Sequence, residues 1–415
     1  MMPVETTTSS LKIPIEICED IIDILALEDP SSLKNCHLTS RLFVPRSRSH
    51  IFHSIVLGHS DTVYRNGESL DALLSKSPEI AFYIRNLRWI VRYVDFLSRG
   101  LMQSFKMLHH LESFHLGTRP DDYSNLPIYL RWQGSEMDFL RPSLQHIIQL
   151  PTLRALHLDA GILQFPVSYI RNSSIKSLKL SHGELWDDED GVTDALRSCP
   201  LESISVWFNQ IEQVGSMTSL VQVKGQNGRP VIDVTSLREI SVHSRRMELF
   251  NEAWPLFQGV NLSRIRVFCI DDPLVLQRLP DYLGPALERS LRHLILDMNI
   301  RETRSASMSL SLMNSLSKLR GTNCVESIEL ILGVDADIEF EIPTDWRVID
   351  EQLAGDGWPR LRDVKLTMSP ATFDSDPSSA FYLALRDLPK THFTKLAASS
   401  KVNFDFLYNH ISVWL

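Results

Sequence analysis

Cysteine is scarce in this chain of 415 residues: there are five, at Cys18, Cys36, Cys199, Cys269 and Cys324. They are scattered and odd in number, and no CxxC pair occurs. That excludes a zinc ribbon and a disulfide framework, and reduced thiols suit the cytosol or nucleus. No apolar run approaches the roughly 18–20 residues that a membrane span needs. No basic run of five exists, and 42 basic against 51 acidic residues leave a net charge of −9. A main partner that is nucleic acid or an anionic membrane is therefore not expected, because both attract clustered Lys and Arg. Residues 1–10 are polar and Thr/Ser-rich, without the basic start and apolar middle of a secretory signal, and are expected to be disordered.

Catalytic signatures are missing as well. The sequence contains no GxSxG, HExxH, GxxxxGK[ST] or GxGxxG, and no nucleophile–base pair can be named from spacing. Asp187-Asp188-Glu189-Asp190 lacks the alternating ligand spacing of a calcium loop and reads as an acidic helix start. His109-His110 are adjacent, and neighbours on a helix do not face one another. No enzyme activity, metal or cofactor is expected.

What the chain has is apolar residues, 43% of the total, in two patterns. The first occupies residues 11–57. Ile13-Pro14-Ile15-Glu16-Ile17 opens a short helix with a stripe at Ile17, Ile21, Ile24 and Leu25. Pro14 suits a helix start, where its missing N–H costs nothing. Asp29 before Pro30 can cap a second helix through Leu33, Cys36 and His37. Leu38-Thr39-Ser40-Arg41-Leu42-Phe43 leads into a third, running to Ile55-Val56-Leu57. So short a segment cannot cover all these apolar faces, and exposed patches of this kind mark interaction sites.

In order, Ile13-Pro14-x-Glu16-Ile17, Pro30-x-x-Leu33, Leu38-Thr39-Ser40-Arg41-x-Phe43 and Pro45-Arg46-Ser47-Arg48 with Phe52 and Ile55 resemble an F-box, in the form common in fungi. Ile13 stands where Leu is commoner. The resemblance implies three helices that bind a Skp-type adaptor, which bridges to the cullin of an SCF ubiquitin ligase. It implies docking or packing roles for Ile13, Pro14, Ile17, Ile21, Leu33, Leu38 and Phe43.

The second pattern fills residues 58–415. A phrase, apolar-x-x-apolar-x-apolar, recurs ten times, starting at Ile84, Leu111, Leu153, Ile175, Leu201, Leu237, Ile265, Leu291, Val325 and Leu361. Successive starts lie between 22 residues (153 to 175) and 42 residues (111 to 153) apart. The longest interval invites a lost or inserted unit around 120–142. Each phrase marks a short strand that cannot bury its apolar side alone, so neighbouring units stack into a common core.

Between the phrases lie helix-like sets: Leu70, Leu73 and Leu74; Val275, Leu276, Leu279 and Leu283; Leu310, Met313, Leu316 and Leu319. The expected fold is α/β. A three-helix F-box precedes an irregular leucine-rich-repeat solenoid, with parallel strands on its concave face and helices on its convex face. The region resembles the degenerate repeats often found behind an F-box. The Asn of the family's turn position is matched only at Asn209 and Asn299, while Gly161, Gly183 and Gly333 fill others.

Outward strand positions then define a target-binding surface: His115, His157, Asp159, Lys179, Trp207, Glu239, His243, Asp271, Asp297, Glu329 and Lys365. Trp207 is the leading anchor, because aromatic side chains dominate interface energetics. The expected function is a non-catalytic substrate receptor of an SCF-type ligase, cytoplasmic or nuclear, with an unidentified protein target. The alternative is a leucine-rich-repeat scaffold unrelated to ubiquitin transfer.

Overall fold

The structure is a computed structural model. It describes residues 14–58, 66–91, 95, 99–118, 130–132, 134, 137–159, 161–181, 185–186, 198–208, 230–244, 247–257, 261–269, 272–301, 305–335, 346–371 and 380–409. The expected disorder of residues 1–10, the docking residue Ile13, Gly183, the acidic run 187–190, Asn209 and the target-binding residue Asp271 lie outside them.

Three helices come first: α1 (Ile15–Glu28), α2 (Leu33–Thr39) and α3 (Val44–Ile51). Pro14 is the residue that caps α1. Pro30 opens a single 3₁₀ turn, Pro30–Ser32, rather than α2 itself. The Asp29 carboxylate there accepts hydrogen bonds from the Ser31 and Ser32 hydroxyls. The third helix ends at Ile51, and Ser54–Leu57, read with the helices from sequence, is instead a strand.

That strand begins a parallel sheet of twelve, in unbroken chain order: β1 (Ser54–Leu57), β2 (Asn86–Val91), β3 (Ser113–Thr118), β4 (Ala155–Leu158), β5 (Ser177–Ser181), β6 (Ser203–Phe208), β7 (Glu239–Ser244), β8 (Arg264–Cys269), β9 (His293–Arg301), β10 (Ser327–Asp335), β11 (Asp363–Ala371) and β12 (Asn403–Tyr408). Parallel neighbours in sequence order, each joined by a crossover, are the arrangement of a solenoid of strand–helix units.

Register repeats the sequence phrase. Leu87, Phe114, Leu156, Leu178, Ile204, Ile240, Ile265, Leu294, Ile328 and Val364 form one inward column. Trp89, Leu116, Leu158, Leu180, Val206, Val242, Val267, Leu296, Leu330 and Leu366 form the next. All twenty are buried and share one core with side chains of the connecting helices. The phrase's first residue, Leu111 or Leu153 for example, closes the bottom of each layer.

Three corrections follow. The eighth strand takes the register Leu262-x-x-Ile265-x-Val267, all three buried. The phrase read from Ile265 is slipped by three residues, an odd number, which turns Phe268 onto the opposite face. Two strands escaped the phrase count. Phe52-x-x-Ile55-x-Leu57 is a full phrase, whereas β12 carries Lys401 at the first position. Finally, β3 pairs directly with β4, so the 42-residue interval hides no lost unit of the main sheet. Part of it, Leu130–Arg131, pairs with Ile162–Leu163 in a separate two-stranded ribbon.

The helix stripes follow the same core. In Ser305–Leu319 the buried apolar side chains are Met308, Leu312, Leu316 and Leu319, and Leu310 is exposed. Steps of three drift around an α-helix, and the buried set mixes steps of four and three, as 3.6 residues per turn requires. Val275, Leu276, Leu279 and Leu283 are all buried in Pro273–Arg289, which Asp272 caps by accepting from the Leu274 N–H at 3.0 Å. Asn299 and Gly333 lie inside strands β9 and β10, not in turns. Gly161 has φ 87°, in the left-handed region that favours glycine.

Candidate functional surfaces

The first surface belongs to the three helices. Their internal tie is polar. Asp23 on α1 accepts from Arg46 of α3 at both carboxylate oxygens, the Nε bond being 2.6 Å. His50 Nε2 lies 2.8 Å from the same carboxylate. The Arg46 bond, and after it His50, holds the Asp23 carboxyl well below the usual carboxylate range. Arg48 reaches Glu79 at 3.0 Å and fastens α3 to the repeat region.

Ile22 and Leu33 are the apolar residues these helices bury, and Leu33 is only 3% exposed. Leu33 therefore packs inside the module and has no surface for a partner. Phe43 is half-buried, and Pro14 is exposed. Ile17, Ile21, Ile24 and Leu27 step along one stripe of α1 and are exposed, Leu27 at 86%. Leu38 at the end of α2 (79% exposed) and Leu42 extend the apolar surface. With Ile15 also exposed, seven large aliphatic side chains of the described residues 14–51 face solvent while two, Ile22 and Leu33, are buried. That is the reverse of a self-sufficient helical core.

The Asp23 tie makes a testable prediction. A depressed folded pKa gives stability that is complete above the unfolded value near 4 and is lost progressively as pH falls from there toward the lowered folded value. Asp23→Asn is expected to loosen the α1–α3 pair by about 1 kcal/mol at neutral pH, a value discounted for the partial exposure of both groups. It is also expected to flatten the loss of the module's helical signal between about pH 5 and 2. Circular dichroism of wild type and variant across that range checks both.

The second surface is the sheet face turned away from the core columns. Successive strand residues alternate between faces, so the open face displays Arg88, His115, His157, Lys179, Ser205, Ser241, Arg266, Ile295, Glu329 and Lys365 in one register column. The next carries Gly117, Asp159, Ser181, Trp207, His243, Phe268, Asp297, Ile331 and Thr367. Of the residues expected from sequence, His115, His157, Asp159, Lys179, Trp207, His243, Asp297, Glu329 and Lys365 occur here, and Glu239 lies on β7 beside them.

Three groupings stand out. At β3 and β4 the His115 and His157 rings stack at 3.9 Å. His115 Nε2 lies 3.2 Å from Asp159, and His157 Nε2 lies 3.1 Å from the Ser181 hydroxyl. Burial, then the neighbouring His115 and Lys179, lowers the His157 pKa to about 3, so its ring is neutral. One donor atom from each of His115, His157 and Asp159 lies within 4.8 Å of the other two, which is the spacing of a potential metal ligand set.

In the middle, Trp207, 36% exposed, stacks on His243 at 4.7 Å, and His243 meets Phe268 at 4.9 Å. Three strands thus share one aromatic stripe. The phrase read from Ile265 places Phe268 inward, and the register of the eighth strand places it in the stripe instead. Burial, then Arg266 and Lys179, lowers the His243 pKa to about 4. The stripe is neutral at physiological pH and suits an apolar contact flanked by charge.

Beyond it, Arg266 pairs with Asp297 at 2.6 Å and Lys365 with Glu329 at 2.9 Å. Asp297 is buried. Burial raises its pKa despite the opposing guanidinium, so it is engaged within the chain and is not a free target-binding carboxylate. Glu329 is likewise held by its own neighbour.

A lowered histidine pKa carries its own pH signature. Between the unfolded value near 6.5 and the folded value of about 4, the unfolded chain binds the extra proton. His243 therefore removes stability as pH falls through that window, by at most about 1.4 kcal/mol per pH unit. His243→Gln is expected to give a shallower stability loss than wild type between pH 6.5 and 4, measured by urea denaturation at each pH.

No family model matches the sequence, and no curated protein matches it. A solved internalin of Listeria monocytogenes is similar to this chain at 12% identity, over 96% of this chain and 98% of that one, with a TM-score of 0.28. The solenoid-like reading stands on the twelve-stranded parallel sheet itself. No helix among the described residues is long and apolar enough to cross a membrane.

Proposed function

We propose that this chain is a non-catalytic substrate-recognition subunit of an SCF-type cullin–RING E3 ubiquitin ligase. Helices α1–α3 dock on a Skp-type adaptor, and the open sheet face holds a protein target in the cytoplasm or nucleus. The observation that carries the reading is the aliphatic surface of Ile17, Ile21, Ile24, Leu27, Leu38 and Leu42 on a module too small to cover it. It coincides with the residues that resemble an F-box. A second surface with its own aromatic anchor sits on a separate part of the chain. Two separate docking faces on one chain suit a bridging role, in which holding a target near a charged conjugating enzyme raises its effective concentration. Neither nucleic acid nor membrane is assigned a part.

Co-purification with a recombinant Skp-type adaptor and its cullin tests this. The expected result is a complex of all three. Adaptor binding without cullin recruitment favours a protein-interaction scaffold instead, a reading that the open sheet face supports without any ligase.

A further inference from the structure

We infer that His115, His157 and Asp159 form a site for a divalent transition metal of the zinc class, on the open face where β3 and β4 pair. The inference is independent of the adaptor reading, since it concerns a different part of the chain.

The placement comes from strand geometry. His157 lies on β4 and Asp159 directly follows its last residue, its N–H still donating to the Leu116 carbonyl of β3 at 2.8 Å, so the two side chains, two residues apart, leave the same face. His115 pairs in register with His157 on the adjacent strand, about 4.8 Å away along the sheet. Three donors thus occupy three corners of a four-position square, and the fourth corner is Gly117. A Cβ at Gly117 would lie 3.0 Å from the Asp159 Cβ and 3.5 Å from its Oδ2. Glycine at that corner leaves the Asp159 carboxylate room to lean over β3 and meet His115.

The distances suit a ligand set that closes on an ion. Tetrahedral zinc with bonds of about 2.0–2.1 Å holds its ligand atoms about 3.3 Å apart. The three donors here already lie within 4.8 Å of one another. His115 and Asp159 stand at 3.2 Å. Rotation of the two imidazoles about their side-chain bonds supplies the rest. Two imidazoles and one carboxylate favour zinc and its neighbours over calcium or magnesium, which prefer oxygen.

Arg88 and Lys179 flank the histidines in the same column and are exposed. Their charge opposes any cation and sets the site apart from closed, four-ligand structural zinc. Three protein ligands leave a fourth position facing solvent, which water fills.

The test uses the full chain, stripped with a chelator, dialysed and titrated with Zn²⁺ by calorimetry. One zinc per chain is expected, with Co²⁺ giving the visible spectrum of a tetrahedral site and Mg²⁺ failing to compete. His115→Ala and His157→Ala are each expected to weaken binding at least about tenfold, in line with loss of a ligand contact. Absence of binding by wild type, or undiminished affinity in the His115→Ala/His157→Ala double variant, overturns the inference. If the alanine variants do not fold, the ring resonances of His115 and His157 decide on the wild-type chain. They must shift on zinc addition, and unmoved resonances contradict the site.

Discussion

A chain carrying Ile21→Asp and Leu38→Asp is expected to lose adaptor affinity by about 100-fold or more without unfolding. Both residues are exposed in the free chain, and exposed substitutions usually alter stability by no more than about 0.5 kcal/mol. In a docked interface the same positions become buried. A central apolar anchor is then worth about 2 kcal/mol or more, and each 1.4 kcal/mol is tenfold in affinity. A buried carboxylate without a partner adds a further penalty. Leu33→Ala provides the contrast. Leu33 is enclosed, so its truncation is expected to destabilise the three-helix module by about 2–5 kcal/mol and to weaken binding only through unfolding. Calorimetry for affinity and thermal unfolding for stability separate the two behaviours. Equal adaptor affinity for wild type and the double aspartate variant would remove the case for docking through this stripe.

The largest effect on stability is expected from Trp89→Ala. Trp89 is fully buried beneath β2, and its ring meets Phe105 edge-on at 4.9 Å. Its indole N–H donates to Asp95 at 3.0 Å. Truncation opens a cavity the size of an indole in a densely packed layer and removes that donor from a buried carboxylate. The expected cost is about 3–5 kcal/mol. In a stack of units each layer rests mainly on its neighbours, so the loss is expected in the unfolding of the N-terminal layers first. Trp89→Phe retains much of the ring volume, removes the donor, and is expected to cost less. Urea denaturation followed by hydrogen exchange of β1–β3 measures both. A Trp89→Ala chain as stable as wild type would mean that the inward column does not bear the packing assigned to it.

The repeat phrase is legible in sequence because it is local. An apolar pair two residues apart, with a third residue three earlier, records which side of one strand faces the core, whatever the distance to the next strand. It fails where local information is ambiguous. Leu262 to Ile270 contains two overlapping phrases, because Phe268 adds a large apolar residue to the open side, where Arg266 also stands. Only pairing with Ile240 and Val242 selects Ile265 and Val267. The phrase also fails at the ends of the stack. Lys401 stands where inner layers place an aliphatic, and the Phe404, Phe406 and Tyr408 side chains of β12 are half-buried at the edge.

The open face was legible one residue at a time. What the sequence could not supply was adjacency. His115 and His157 lie on neighbouring strands because the long interval between them holds no main-sheet strand, and no local pattern distinguishes that from a degenerate unit. Asp297 illustrates the complementary difficulty. Its strand position is the expected one, but the cross-strand Arg266 engages it. The exposure of α1 was legible for a simple reason: the segment contains more large aliphatic residues than three short helices can enclose.

The most direct measurement is titration of the purified full-length chain with a recombinant Skp-type adaptor by calorimetry, beside the Ile21→Asp/Leu38→Asp chain. Saturable one-to-one binding by wild type, lost in the variant while both remain folded, is the expected result. A wild-type chain that shows no heat of binding and stays monomeric at the highest adaptor concentration would contradict the reading of α1–α3 as an adaptor-docking module.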